Sequence, residues 1–254
     1  MPLSDRAWSD RASVETLLLR PATPADLPQV ADVLVASRAA ASPSMPPFAR
    51  PVEEVREATA ALDLTDGREV WVADRDGAVV GFAELRQDWL DDLYVHPDHA
   101  GTGVGTALVD CVRGLRPGGV SLWCFATNAP ARAFYAARGF VELETTDGSA
   151  NEEGVPDVRL VWAGADPVWW LRREIDDVDT HLARLVAQRV ALTAAVQPHK
   201  PVPGRAGRDP EREAAIAARM VEVAPGVDAA AYARVVDLLV DLGLEQFERT
   251  AGGS

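Results

Sequence analysis

Two stretches of the 254-residue chain place chemically useful groups at suggestive spacing. The first is His96-Pro97-Asp98-His99-Ala100-Gly101-Thr102-Gly103-Val104-Gly105-Thr106, a glycine-rich turn joining a β-rich run to an apolar-periodic one. A strand that enters a helix through such a turn aims unpaired backbone N–H groups and the positive helix end at one spot. That arrangement can cradle an anion, a phosphate or pyrophosphate in particular. Nearby carboxylates, Glu84, Asp91 and Asp92, are candidate general bases. Strand alternation sets Asp91 on the side of Leu93 and Val95, and Asp92 on the side of Leu90 and Tyr94, without saying which side meets a cleft. The plain alternative for each is a solvated surface carboxylate.

The second stretch carries cations: Arg172, Arg173, Arg189, Lys200, then Arg208-Asp209-Pro210-Glu211-Arg212-Glu213. On one helix, Arg189 and Lys200 would share a face about 16 Å apart, close enough for two long side chains to converge on a small dianion. Arg172 would lie about 25 Å from Arg189 and roughly 100° round the axis, beyond reach of the same ligand. A helix this long also lacks a partner of matching length in its own domain, which predicts an intertwined homodimer with Arg172 crossing to the partner's site. Pro198 is expected to kink or end that helix two residues before Lys200.

Different elements must position these groups. Before the short segment 163–165, β-rich runs at 16–20, 69–73, 78–85, 89–95, 121–126 and 158–162 alternate with helical periodicity at 25–39, 52–61, 104–112 and 131–137. Asp74-Arg75-Asp76-Gly77 signals a hairpin, so part of the sheet is antiparallel. After it the strands stop, and helices are predicted over 168–196, 209–223 and 228–249, the second with Asp209 as N-cap and Pro210 in its first turn. The expected organisation is a flexible N-terminus over 1–13, an α/β domain with a mixed sheet and helices over 14–163, and an all-α three-helix domain over 166–250.

With Asn128-Ala129-Pro130-Ala131-Arg132-Ala133-Phe134-Tyr135-Ala136-Ala137-Arg138-Gly139-Phe140 added, the glycine turn resembles the GNAT acetyltransferase superfamily over about residues 14–162. The resemblance implies that Gly101, Gly103, Val104, Gly105 and Thr106 hold the pyrophosphate of acetyl-CoA as co-substrate. Val95 would hold the pantetheine arm by main-chain bonds, Asn128 would contact the cofactor, and Tyr135 would protonate the leaving thiolate. The family usually has Arg or Gln where this chain has Ala100. The acetyl acceptor is expected to be a small amine.

Over about residues 168–249 the helical half resembles the all-helical (AroQ-type) chorismate mutases. The resemblance implies that Arg172 of the other subunit, Arg189 and Arg212 bind two carboxylates, that Asp209 and Glu213 lie near the ring hydroxyl, and that Lys200 donates to the ether oxygen. In the third helix the family carries Ser and, four residues later, Gln or Glu as a second donor. The apolar pattern puts Gly243 and Phe247 there, with Gln246 one residue early. Two alternatives follow: a non-catalytic chorismate-sensing or dimerisation module, and an isochorismate pyruvate lyase, against which the retained Asp209 and Glu213 speak.

Composition bounds these readings. Asp and Glu outnumber Lys and Arg, 39 to 25, for a net charge of −14, which argues against a nucleic-acid or acidic-membrane partner. The α/β half carries net −11 and the helical half net −3. Lys200 is the single lysine, in a chain whose other 24 basic side chains are Arg. Cys111 and Cys124 are too few for a disulfide framework and lack metal-ligand spacing, so they are expected as small fillers and no metal is expected. No 18-residue apolar run or secretory leader is legible, and a cytoplasmic protein is predicted.

Overall fold

The computed structural model describes residues 16–224 and 226–252; the predicted flexible N-terminus at 1–13 lies outside them. The chain forms two compact units that divide between Leu171 and Arg172.

The first unit is built on a seven-stranded sheet in the order β1-β2-β3-β4-β5-β7-β6. Its strands are β1 (Leu17–Pro21), β2 (Arg68–Arg75), β3 (Ala78–Arg86), β4 (Trp89–Val95), β5 (Val120–Phe125), β6 (Val141–Thr145) and β7 (Asp157–Trp162). All neighbours are antiparallel except β4 and β5, so the sheet is mixed. The predicted hairpin joins β2 to β3, with Asp76 and Gly77 both at positive φ and the Asp74 carboxylate accepting from the Gly77 N–H. Helices α1 (Leu27–Ala40) and α2 (Val52–Ala60) pack on one face around Val30, Val72 and Phe82. Helices α3 (Val104–Leu115) and α4 (Ala129–Ala136) enclose the larger core around Leu85, Leu108 and Leu160.

β6 carries no expectation in the sequence reading. Its Val-Glu-Leu-Glu-Thr alternation is short, and every one of its residues is exposed at the sheet edge, so it lacks the apolar burial signal that marks the inner strands. Cys124 is buried and Cys111 partly so, both as free thiols.

The second unit contains the rest of α5 (Pro167–Val196), then α6 (Pro210–Val223) and α7 (Ala229–Gly252). The first turn of α5 belongs to the first unit because Trp170, 3% exposed, packs against Gly119. Helix α5 ends at Val196, and Gln197–His199 form a single 3-10 turn around Pro198. Lys200 therefore sits in extended backbone beyond the helix, and the three-turn spacing from Arg189 does not apply to it. Among the described residues no helix is long and apolar enough to cross a membrane.

Candidate active sites

In the first unit the glycine turn does what its composition requires. Gly101 and Gly103 have φ of +75° and +91°, a conformation that a Cβ disfavours, and Gly103 is the N-cap of α3. The N–H groups of Val104, Gly105 and Thr106 belong to the first turn of α3, where no intrahelical acceptor exists. Arg138 supplies a cation here that the sequence reading did not single out. Its guanidinium donates to the Thr106 hydroxyl and lies 3.7 Å over the Phe134 ring. It thus brings positive charge to the turn where Ala100 offers none. The sequence signal was weak because Thr106 and Arg138 are 32 residues apart.

Beside the turn, β4 and β5 part company. They are joined in register only at Trp89 and Ser121, and beyond that point a cavity of about 300 Å³ opens between them. Asp91, Asp92, Asn128 and Tyr135 all line it. The Asn128 side chain caps α4 by accepting from the Ala131 N–H at 3.2 Å. Tyr135 is buried against Phe134 and Phe140, and burial pushes its phenol well above the ordinary range, so it holds its proton at neutral pH. Val95 closes β4, opposite Gly81 of β3.

A second cavity, about 240 Å³, lies on the α1–α2 side and is lined by Glu84 and Asp92. Asp92, Tyr94, Arg38 and Glu153 border both cavities, so Asp92 stands where the two meet. Of the three candidate bases, Glu84 is tied to Arg68 at 3.0 Å and Asp91 faces Arg86 at 3.8 Å. The Asp92 side chain has no hydrogen bond or ion pair among the described residues. Burial, with the Glu84 and Asp91 carboxylates beside it, pushes the Asp92 carboxyl up to about 8, against the pull of Arg38 and Arg68. The acidic loop 147–157 reaches the same place: Glu153 pairs with Arg38 at 3.0 Å and Glu152 with Arg50 at 3.4 Å.

In the second unit, a cavity of about 910 Å³ is lined by Arg189, Lys200, Asp209, Arg212 and Glu213, five of the expected residues. Asp209 caps α6 by accepting from the Arg212 N–H, which fixes the first turn on which Arg212 and Glu213 sit. Glu213 is held by Arg208 at 2.6 Å, and Arg208 also pairs with Asp237 and Asp241 of α7. The Lys200 ammonium donates to the Gly207 carbonyl at 2.6 Å. Arg189 donates to the Thr193 hydroxyl. Neither Arg189 nor Arg212 has a carboxylate partner among the described residues, and the same holds for Arg219, a further lining residue. Arg219 was missed, although it follows Arg212 by seven positions and so lies on the same helix face two turns on.

Helix α7 presents Tyr232, Val240 and Leu244 to this cavity, the Tyr232 hydroxyl donating to the Ala224 carbonyl at 3.0 Å; Gly243, Gln246 and Phe247 do not line it. Gly243 instead abuts Thr193, whose side chain occupies the space a Cβ would need. The buried Gln197 also lines the cavity, its carbonyl oxygen accepting from the Gly204 N–H and its amide donating to the Thr193 carbonyl, both at 3.0 Å. Arg172 is exposed and does not line the cavity.

Residues 66–142 match the family model of the acetyltransferase (GNAT) domain, and residues 171–246 that of chorismate mutase type II. Among solved structures, the chain is similar to apo YjaB from Escherichia coli at 22% identity, over 59% of this chain and 99% of that one, with a TM-score of 0.49. It is similar to a GCN5-related N-acetyltransferase from Rhodopseudomonas palustris at 29% identity (58% and 96% covered, TM-score 0.46). It is also similar to the PaiA N-acetyltransferase from Thermoplasma acidophilum, in complex with coenzyme A, at 20% identity (58% and 99%, TM-score 0.48). No curated protein matches the chain.

Proposed function

From the premise that the chain joins a GNAT acetyltransferase domain to a chorismate mutase type II domain, we propose that it is a bifunctional enzyme. One activity transfers the acetyl group of acetyl-CoA to a small amine, and the other rearranges chorismate to prephenate. The observation that carries this reading is the ionisable groups each site leaves unpaired: one carboxyl group, Asp92, in the first, and the guanidinium groups of Arg189, Arg212 and Arg219 in the second.

In acetyl transfer the turn 101–106 with Arg138 would hold the pyrophosphate, and Asn128 and the end of β4 at Val95 would hold the arm in the cavity between β4 and β5. Asp92 would take the proton of the amine, and Tyr135, whose phenol keeps its proton, would donate to the departing thiolate. Glu84 and Asp91 are engaged by arginines and serve this reading as neighbours that set the state of Asp92.

The chorismate rearrangement is pericyclic and needs no nucleophile. Its catalysis rests on holding the compact conformer and on fixed charge at the ether oxygen as its bond breaks. Unpaired arginines suit the two carboxylates, since their planar forks bind such groups bidentately. Arg172 would come from the other subunit of a homodimer. Support for the dimer lies on α5, about 45 Å long, where Ile175, Val178, Leu182 and Leu185 follow alternating three- and four-residue spacing and Leu192 lies seven residues further on, each 52–63% exposed. The two activities, and the small-molecule substrates, fit a cytoplasmic enzyme.

A second reading keeps the acetyltransferase and makes the helical domain a non-catalytic chorismate-sensing and dimerisation module. It draws on α7, whose lining residues Val240 and Leu244 carry no donor and whose Tyr232 hydroxyl is already given to the Ala224 carbonyl. Purified full-length protein incubated with chorismate separates the two: spectrophotometric loss of chorismate with formation of prephenate supports the enzyme, and tight binding without turnover supports the sensor.

A further inference from the structure

The pairing of charges in the α1–α2 side cavity specifies the acceptor more narrowly than "amine". The cavity holds four carboxylates, Glu84, Asp92, Glu152 and Glu153, and three guanidinium groups, Arg38, Arg50 and Arg68. Three pairs form: Arg38 with Glu153, Arg68 with Glu84, and Arg50 with Glu152, Arg68 also facing Asp66, outside the cavity lining, at 3.7 Å. Asp92 is left over, and it is the carboxylate that also borders the cavity between β4 and β5. The remaining lining is largely apolar, with Leu34, Phe48, Val55, Leu62, Phe82 and Tyr94. An ionised carboxylate in such surroundings is costly unless a cation joins it.

We infer that the acceptor is a small primary amine with a single positive charge and an apolar body, bound with its ammonium against Asp92 and its body between α1, α2 and the sheet. This rests on the acetyltransferase reading and sharpens it. A zwitterion would bring a carboxylate to a cavity whose guanidinium groups are already engaged. A polyamine would bring a second cation with no unpaired carboxylate to meet it. The cavity's volume of about 240 Å³ matches a small molecule, and the Arg38–Glu153 and Arg50–Glu152 pairs tie the 147–157 loop across its border.

In the transfer, the amine nitrogen forms a bond to the acetyl carbon and the carbon–sulfur bond breaks, its electron pair leaving with sulfur. Of the three ammonium protons one stays on the amide nitrogen and one passes to Asp92 and then to water. The third leaves the nitrogen for solvent, Tyr135 gives its own proton to the thiolate, and a proton from solvent restores Tyr135, so that one proton is released overall.

The test uses the full chain with acetyl-CoA and follows thiol release with 2-phenylethylamine, phenylalanine, spermidine and an unstructured lysine-containing peptide. The expected result is kcat/KM for 2-phenylethylamine at least about tenfold above each of the other three. Calorimetric binding of 2-phenylethylamine, lost in Asp92→Asn, is the second readout. Preference for phenylalanine, spermidine or the peptide, or no turnover of 2-phenylethylamine by a protein that binds acetyl-CoA, overturns the inference while leaving the acetyltransferase reading standing. Failure to bind acetyl-CoA at all overturns both.

Discussion

The two sites handle charge in opposite ways. In the α/β unit arginines are used up on carboxylates, and what remains is Asp92. In the helical unit the carboxylates are used up or set aside: Glu213 is held by Arg208 and Asp209 caps α6, and what remains is Arg189, Arg212 and Arg219. A bound ligand exchanges water for protein groups, so the groups without an internal partner are those whose burial a ligand of opposite charge offsets. Net charge alone would not reveal this, since both halves are acidic.

The largest effects belong to the helical site. Arg189→Ala and Arg172→Ala should each lower chorismate turnover by about a hundredfold or more, as expected for removal of a fixed charge from a water-excluded site. If Arg172 serves the partner's site, mixing the two inactive variants and allowing exchange restores activity. Half the dimers are then mixed and each has one intact site, so recovery approaches about a quarter of the wild-type rate. Recovery of nothing would place Arg172 outside the site or the protein outside a dimer.

In the acetyl-transfer site, Tyr135→Phe should lower kcat by about a hundredfold with little change in KM, because the phenol acts on the leaving group. Chorismate turnover in the same variant should be unchanged. A Tyr135→Phe enzyme with a wild-type rate of thiol release would remove Tyr135 from the reaction.

A stability measurement addresses the unpaired carboxylate without any substrate. The Asp92 carboxyl is raised in the folded state, by burial and by Glu84 and Asp91, against Arg38 on α1 and Arg68 on β2. The folded chain therefore binds the proton more tightly than the unfolded chain, and this group's contribution to stability falls as pH rises from about 4 to about 8. Asp92→Asn should raise Tm, with a gain that grows over that range and levels off above it. A gain independent of pH would show that Asp92 does not carry a buried charge.

The smallest effect is expected at Arg219. Arg219→Ala should raise KM for chorismate about tenfold while leaving kcat close to wild type, the loss of one charged hydrogen bond at the edge of the arginine group.

Which of these residues can be read from sequence depends on how local their reasons are. Gly101 and Gly103 leave a mark because positive φ is met within the turn itself, and the Asp209-Pro210 cap because the side chain bonds the backbone three residues on. The mixed sheet, the α/β-then-α order and the long α5 follow from periodicity in the same way. Arg138 escapes because its partner Thr106 lies a helix and a strand away, and the singular position of Asp92 because it depends on what Arg38, Arg50 and Arg68 each choose instead. Arg189 and Lys200 do not share a helix face as their spacing predicts, because α5 ends before Pro198, yet both residues line the same cavity beyond the 3-10 turn. Strand alternation could not choose a side for Asp92. The splayed strands make the choice, because the gap between β4 and β5 and the α1–α2 side cavity both border it.

In the proposed function one chain holds two separately wired chemistries, one organised by a leftover carboxyl group and one by leftover arginines. The most direct test measures both reactions, thiol release with acetyl-CoA and 2-phenylethylamine and conversion of chorismate to prephenate, in Asp92→Asn and Arg189→Ala. Asp92→Asn is expected to lose acetyl transfer by about a hundredfold or more and keep the rearrangement, and Arg189→Ala to do the reverse. Loss of both reactions in either correctly folded variant, or of neither, would contradict it.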